Sequence, residues 1–150
     1  MTDFGRRPVP VDHASRHENN GLDEVDASGL SGLLTYTDRG DLGSFDKVLA
    51  DLTMDSTYYD WDISAICPAG TVLVGFRVWL RTDLSAVSFS IRSNGNSNVI
   101  NIFQAVTSVG SVIVSADGWV APDSDRKVEY IGVGGYTYTV CNVLIFGWFI

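Results

Sequence analysis

The stretch Thr71-Val72-Leu73-Val74-Gly75-Phe76-Arg77-Val78-Trp79-Leu80-Arg81 decides the fold. Val72, Val74, Phe76, Val78 and Leu80 alternate with Leu73, Gly75, Arg77, Trp79 and Arg81, a period of two with one wholly apolar face. Successive side chains of a strand point to opposite faces, so the pattern predicts a β-strand with one face buried. Residues 85–92 repeat it: Val87, Phe89 and Ile91 alternate with Ala86, Ser88, Ser90 and Arg92. Ser93-Asn94-Gly95-Asn96-Ser97 follows, and its Asn-Gly pair predicts a turn because both residues tolerate positive φ. Residues 99–103, 108–115 and 128–133 are further β-branched runs, punctuated by Gly110, Asp117-Gly118, Pro122 and Gly134-Gly135. The run 136–150 is the longest. Its two-sided hydrophobicity predicts a central strand covered on both faces, or one at an oligomer interface. About seven or eight strands at a spacing of about 8–12 residues predict an all-β fold, an antiparallel β-sandwich of jelly-roll-like topology.

That sandwich is expected over residues 58–150, and residues 1–57 read as an extended N-terminal arm with one short helix. Pro8 and Pro10 hold Val9 extended. Residues 18–34 are rich in Asn, Gly, Asp and Ser, too poor in large apolar groups to bury a core. The helix is expected at residues 44–52, where Ser44 could cap, Asp46 would complement the dipole, and Phe45, Val48, Leu49 and Leu52 share a face.

The 150 residues are 45% apolar and 19% charged, which excludes a disordered chain. Formal net charge is −8, so phosphate backbones and anionic lipid surfaces would repel the protein; neither nucleic acid nor membrane is an expected partner. No apolar run approaches the roughly 18 residues of a bilayer span. The first residues, Met1-Thr2-Asp3-Phe4-Gly5-Arg6-Arg7, lack the apolar core of a signal peptide, and intracellular synthesis is expected. Residues 1–60 hold twelve of the eighteen Asp/Glu side chains and both histidines.

Residues 11–34 carry His13-Ala14-Ser15-Arg16-His17, a Gly-containing turn at Asn19-Asn20-Gly21, Asp23-Glu24-Val25, and Leu30-Ser31-Gly32-Leu33. The segment resembles the N-terminal region of tailed-phage virion proteins: head fibres, tail fibres and decoration proteins. It departs from their usual pattern at Asn20 and Leu22, where a glycine and a small residue are more common. The resemblance implies a structural virion protein, assembled in the host bacterial cytoplasm and incorporated into the particle. It also implies a homotrimer, attached to the major capsid protein or another virion protein through His13, Arg16, His17, Asp23, Glu24 and Leu30. An arm poor in core residues agrees with this, because its ordering costs roughly 1–2 kcal/mol per residue that contacts elsewhere must offset.

Enzymatic chemistry is short of parts. Residues 61–150 contain no histidine, so no Ser-His-Asp or Cys-His set can be assembled inside the sandwich. Cys67 and Cys141 read as buried structural thiols. Asp117, Asp123, Asp125 and Glu129 offer a carboxylate pair for glycoside hydrolysis, but their setting around Gly118 and Pro122 reads as solvated turns. His13 and His17 have the four-residue spacing of a metal pair, yet no third His or Cys lies near, and neither metal nor cofactor is expected. Trp79, on the less apolar face of its strand, and Trp119, beside an expected turn, read as ligand or interface aromatics. Trp148 reads as core or subunit interface. The function expected is a non-enzymatic virion protein, with a host-surface carbohydrate-binding module as the alternative.

Overall fold

A computed structural model describes residues 32–98 and 100–150. The chain divides into two units, Met1–Leu33 and Leu34–Ile150, and every strand among the described residues belongs to the second. These strands are β1 (Tyr36–Asp38), β2 (Tyr59–Asp62), β3 (Leu73–Thr82), β4 (Ser88–Ser93), β5 (Phe103–Val106), β6 (Val114–Val120), β7 (Lys127–Gly132) and β8 (Tyr138–Phe149).

Four antiparallel pairs nest one inside the next: β1 with β8, β2 with β7, β3 with β6, and β4 with β5. Two further antiparallel pairings, β3 with β8 and β4 with β7, roll this double strand up. The result is two four-stranded sheets, β1-β8-β3-β6 and β2-β7-β4-β5. That order is a jelly roll, so the expected sandwich and its topology are both observed.

The alternation in β3 does what its period requires. Val74, Phe76, Val78 and Leu80 are fully buried, and they form one cluster with Phe89, Ile91, Val128 and Tyr130 of the facing sheet. Each such side chain contributes about 1.5–3 kcal/mol by leaving water. β8 is an interior strand of its sheet, as the run 136–150 predicted; Cys141, Val143 and Ile145 face the core. Trp148 packs, partly buried, against the same cluster.

Four expectations need correction. The boundary lies at Leu33/Leu34, not at 57/58, because residues 34–57 are woven into the sandwich. Thr35 and Ile150 exchange backbone hydrogen bonds at 2.8 and 3.0 Å, and Leu49, Leu52 and Met54 pack on the core. Only the first 33 residues therefore remain for an arm.

The helix expected at residues 44–52 contracts to a single 3₁₀ turn, Leu49–Asp51. Asp46 and Lys47 instead lie beside β8, donating their backbone N–H groups to Val143 O at 2.9 and 3.1 Å. The Asp46 carboxylate, expected to complement a helix dipole, accepts from Ile145 N and from Arg39 Nη1, both at 2.7 Å. Tertiary bonds to β8 override a short amphipathic pattern whose helix would have been marginal alone.

The runs expected at 99–103 and 108–115 are displaced toward the C-terminus, to β5 and β6. Asp117-Gly118, read as a turn, lies inside β6. Gly118 stands opposite Phe76. A Cβ there would collide with the Phe103 ring, which explains a glycine in mid-strand.

Candidate functional site

Residues that alternate with the core positions of β3 and β6 face outward: Arg77 and Trp79 from β3, Asp117 and Trp119 from β6. At one end of this outer face four aromatic rings meet. Trp119 lies 5.1 Å from Phe146, 5.3 Å from Phe149 and 6.1 Å from Tyr36, with interplanar angles of 81°, 51° and 71°. Edge-on and tilted contacts of this kind suit the ring quadrupoles. The backbone makes room for them. A bulge pairs Gly75 with Gly147 but Phe76 with Ile145, which leaves Phe146 as an extra residue of β8. A Cβ on Gly75 would come within 2.5 Å of the Phe146 ring and 3.0 Å of Trp119, so only glycine lets both rings lie on the sheet.

The two tryptophans singled out by sequence differ in setting. Trp79 is 39% exposed, and Phe45 of the β1–β2 connection meets it edge-on at 5.0 Å, beside an apolar cleft of about 330 Å³. Trp119 is 42% exposed and sits within β6 rather than beside a turn. It borders a cleft of about 400 Å³ at the open edge of the sandwich, where β6 meets the loop between β4 and β5. Leu73, Ser93, Asn101, Ile102, Phe103, Gly118, Val120 and Ala121 complete the lining, and none of these residues is charged.

The four carboxylates considered for catalysis are distributed, not paired. Asp117 receives two hydrogen bonds from Arg77, each 2.7 Å, on the outer face of the first sheet. That side-chain contact holds its carboxyl below the ordinary 3.8. Glu129 lies on the other sheet and accepts from Arg92 at 2.6 Å, both side chains largely buried, with the Arg92 guanidinium 3.3 Å above the Tyr58 ring. The turn reading is thus corrected for these two, which are strand residues in ion pairs. Asp123 and Asp125 do occupy the β6–β7 turn. Asp123 accepts from the Asn94 side chain and from the backbone of Lys127 and Asp125, and the Asn94 bond leads in keeping its carboxyl below the ordinary value. Asp117 and Asp123 are shifted opposite to the direction a general acid requires.

Cys67 and Cys141 are buried free thiols, as expected. Burial pushes Cys67 up to about 11 and Cys141 up to about 12, from an ordinary 9.0. The neutral thiols stabilise the fold fully below about pH 9. That contribution fades as pH rises toward the shifted values, because the unfolded chain ionises first. At about pH 8 iodoacetamide is expected to leave both thiols unmodified in the folded protein and to alkylate both in guanidinium, read by intact-protein mass. Labelling at equal rates in the two conditions would contradict this burial.

His13, Arg16, His17, Asp23, Glu24 and Leu30 lie outside the described residues. Among the described residues, no three His, Cys, Asp or Glu side chains converge as a metal-binding group. Sequence reading missed Tyr36, Phe146 and Asn101, which join the Trp119 region only through long-range pairing. The sole local sign was the run of aromatics around Gly147. No protein-family model matches the chain, and no curated protein matches it.

Proposed function

We propose that the protein is a non-enzymatic structural component of a tailed-phage virion, a capsid decoration or head- or tail-fibre protein. It is held to the particle by residues 1–33 and projects the sandwich outward as a homotrimer. The observation that carries this reading is that Leu34–Ile150 forms a jelly roll, an architecture shared by viral capsid and lectin domains. The segment that resembles phage virion proteins, residues 11–34, falls in the other unit, Met1–Leu33, but for its last residue. An attachment segment distinct from a self-contained body is what docking on the major capsid protein, or on another virion protein, requires.

Deleting residues 1–33 should leave thermal unfolding of the sandwich within a few degrees of the full chain and abolish incorporation into particles, quantified by mass spectrometry of purified virions. Full incorporation of that truncation would overturn the anchor. The second reading, recognition of a host-surface carbohydrate, is favoured by the uncharged cleft beside Trp119.

A further inference from the structure

We propose that the cleft between Trp119 and the β4–β5 loop is a binding site for a neutral saccharide. This goes beyond particle attachment and deepens the second reading above. Three features of the cleft select that class of ligand.

The first is an aromatic platform fixed in place. Trp119 keeps 42% of its surface exposed while Phe146, Phe149 and Tyr36 pack around its ring on the same outer face. The electron-rich face of an indole attracts the weakly positive C–H bonds that line one side of a pyranose ring. A ring already immobilised loses little rotamer entropy on binding.

The second is the polar complement. The loop reads Ser93-Asn94-Gly95-Asn96-Ser97-Asn98 and continues through Ile100-Asn101, dense in amides and hydroxyls. Three members are committed to folding the loop. Asn94 donates to Asp123 at 2.7 Å, while Asn96 and Asn98 accept from the backbone of Asn98 and Ile100 at 3.3 and 2.9 Å. Ser93, the last residue of β4, donates to Ala121 O at 2.7 Å, just past the end of β6. Asn101 stands in the lining, is exposed, and makes no side-chain hydrogen bond among the described residues. Its amide presents both a donor and an acceptor, the pair that vicinal hydroxyls match.

The third is charge. Leu73, Ile102, Phe103 and Val120 add apolar wall, and no Lys, Arg, Asp or Glu enters the lining. A phosphate or a uronate would find no counter-ion there, whereas a neutral hexose needs none. The volume of about 400 Å³ lies toward the small end of ligand clefts and suits the end of a short oligosaccharide rather than an extended polymer. Trp79 is the internal contrast: Phe45 meets its ring, its cleft is apolar, and Arg77 is part of the lining.

The test uses the full chain with lactose, maltotriose, cellotriose, mannotriose and chitotriose as probes, and sialyllactose as the anionic comparison. Binding is followed by tryptophan fluorescence and saturation-transfer NMR up to millimolar concentrations. At least one neutral probe should saturate and bind more tightly than sialyllactose. Trp119→Ala should weaken binding by about tenfold or more, Asn101→Ala by about threefold to tenfold, and Trp79→Ala by less than twofold. Because Trp119 braces three rings, Trp119→Ala could unfold the edge. Trp119→Tyr, which keeps a flat ring, and the surface change Asn101→Ala keep the test decisive. No saturable binding of any neutral probe would overturn the proposal, as would tighter binding of sialyllactose or binding that Asn101→Ala leaves unchanged. Failure here leaves particle incorporation untouched, since the deletion of residues 1–33 reads that separately.

Discussion

Removing residues 1–57 is expected to abolish cooperative folding, whereas removing residues 1–33 is not. The longer deletion takes away β1, whose three residues pair with Gly147, Trp148 and Phe149, and the bridge between Lys47 and Val143. It also strips Leu49, Leu52 and Met54 from the core; the Met54 side chain fills the space that a Cβ at Gly132 would occupy. Three partly buried apolar side chains, each contributing less than the about 1.5–3 kcal/mol of full burial, are still a sizeable share of a domain stability of about 5–15 kcal/mol. The truncation would furthermore turn β8, twelve residues long and hydrophobic, into a bare sheet edge, and such edges pair with other chains. Calorimetry and amide NMR dispersion on the two truncations check this. A sharp transition within a few degrees of the full chain for the 58–150 fragment would show that residues 34–57 are dispensable.

Asp46→Ala is expected to cost about 2–3 kcal/mol in denaturant unfolding, a large effect for a polar side chain. One Asp46 oxygen accepts from both Arg39 Nη1 and Ile145 N at 2.7 Å, and Arg39 also donates to Ile145 O at 2.7 Å. The side chains retain only 17% and 10% of their exposure, so alanine would leave a guanidinium without its carboxylate and a β8 amide without its acceptor. Breaking a buried pair from one side costs about 3–5 kcal/mol, reduced here because the pair is not wholly dry. Asp46→Asn keeps an acceptor for Ile145 N and should lose about half as much. A change below about 0.5 kcal/mol for Asp46→Ala would mean that the segment 39–47 adds little to the sandwich.

These residues also show what could be read from sequence and what could not. β3 and β4 are visible in their alternation, because each buries one face and the period of two records it; β7 shows as a β-branched run and β8 as the longest apolar run. β1 is not: three residues carry no period, and only pairing with β8 makes them a strand. Asp117-Gly118 has the composition of a turn, yet Arg77 opposite Asp117 and the Phe103 ring over Gly118 make both residues fit a strand. Asp46 looks like a helix-terminal acid until Arg39 and Ile145 arrive from elsewhere in the fold. The exposed tryptophans were recognisable as a type. What separates Trp119 from Trp79 is the neighbours each acquires, Phe146 and Phe149 against Phe45, and those neighbours are set by topology alone.

The nested pairing has a consequence in time. Tyr36 meets Phe149 across more than a hundred residues of intervening chain, and β2 waits similarly for β7. Among the described residues only the innermost hairpin, β4 with β5, joins strands that neighbour along the chain, so ring closures of ever greater span must follow it. Folding should therefore be slow, on the millisecond-to-second scale of topologies rich in distant contacts, and β3 should remain without one flanking partner until β8 has left the ribosome.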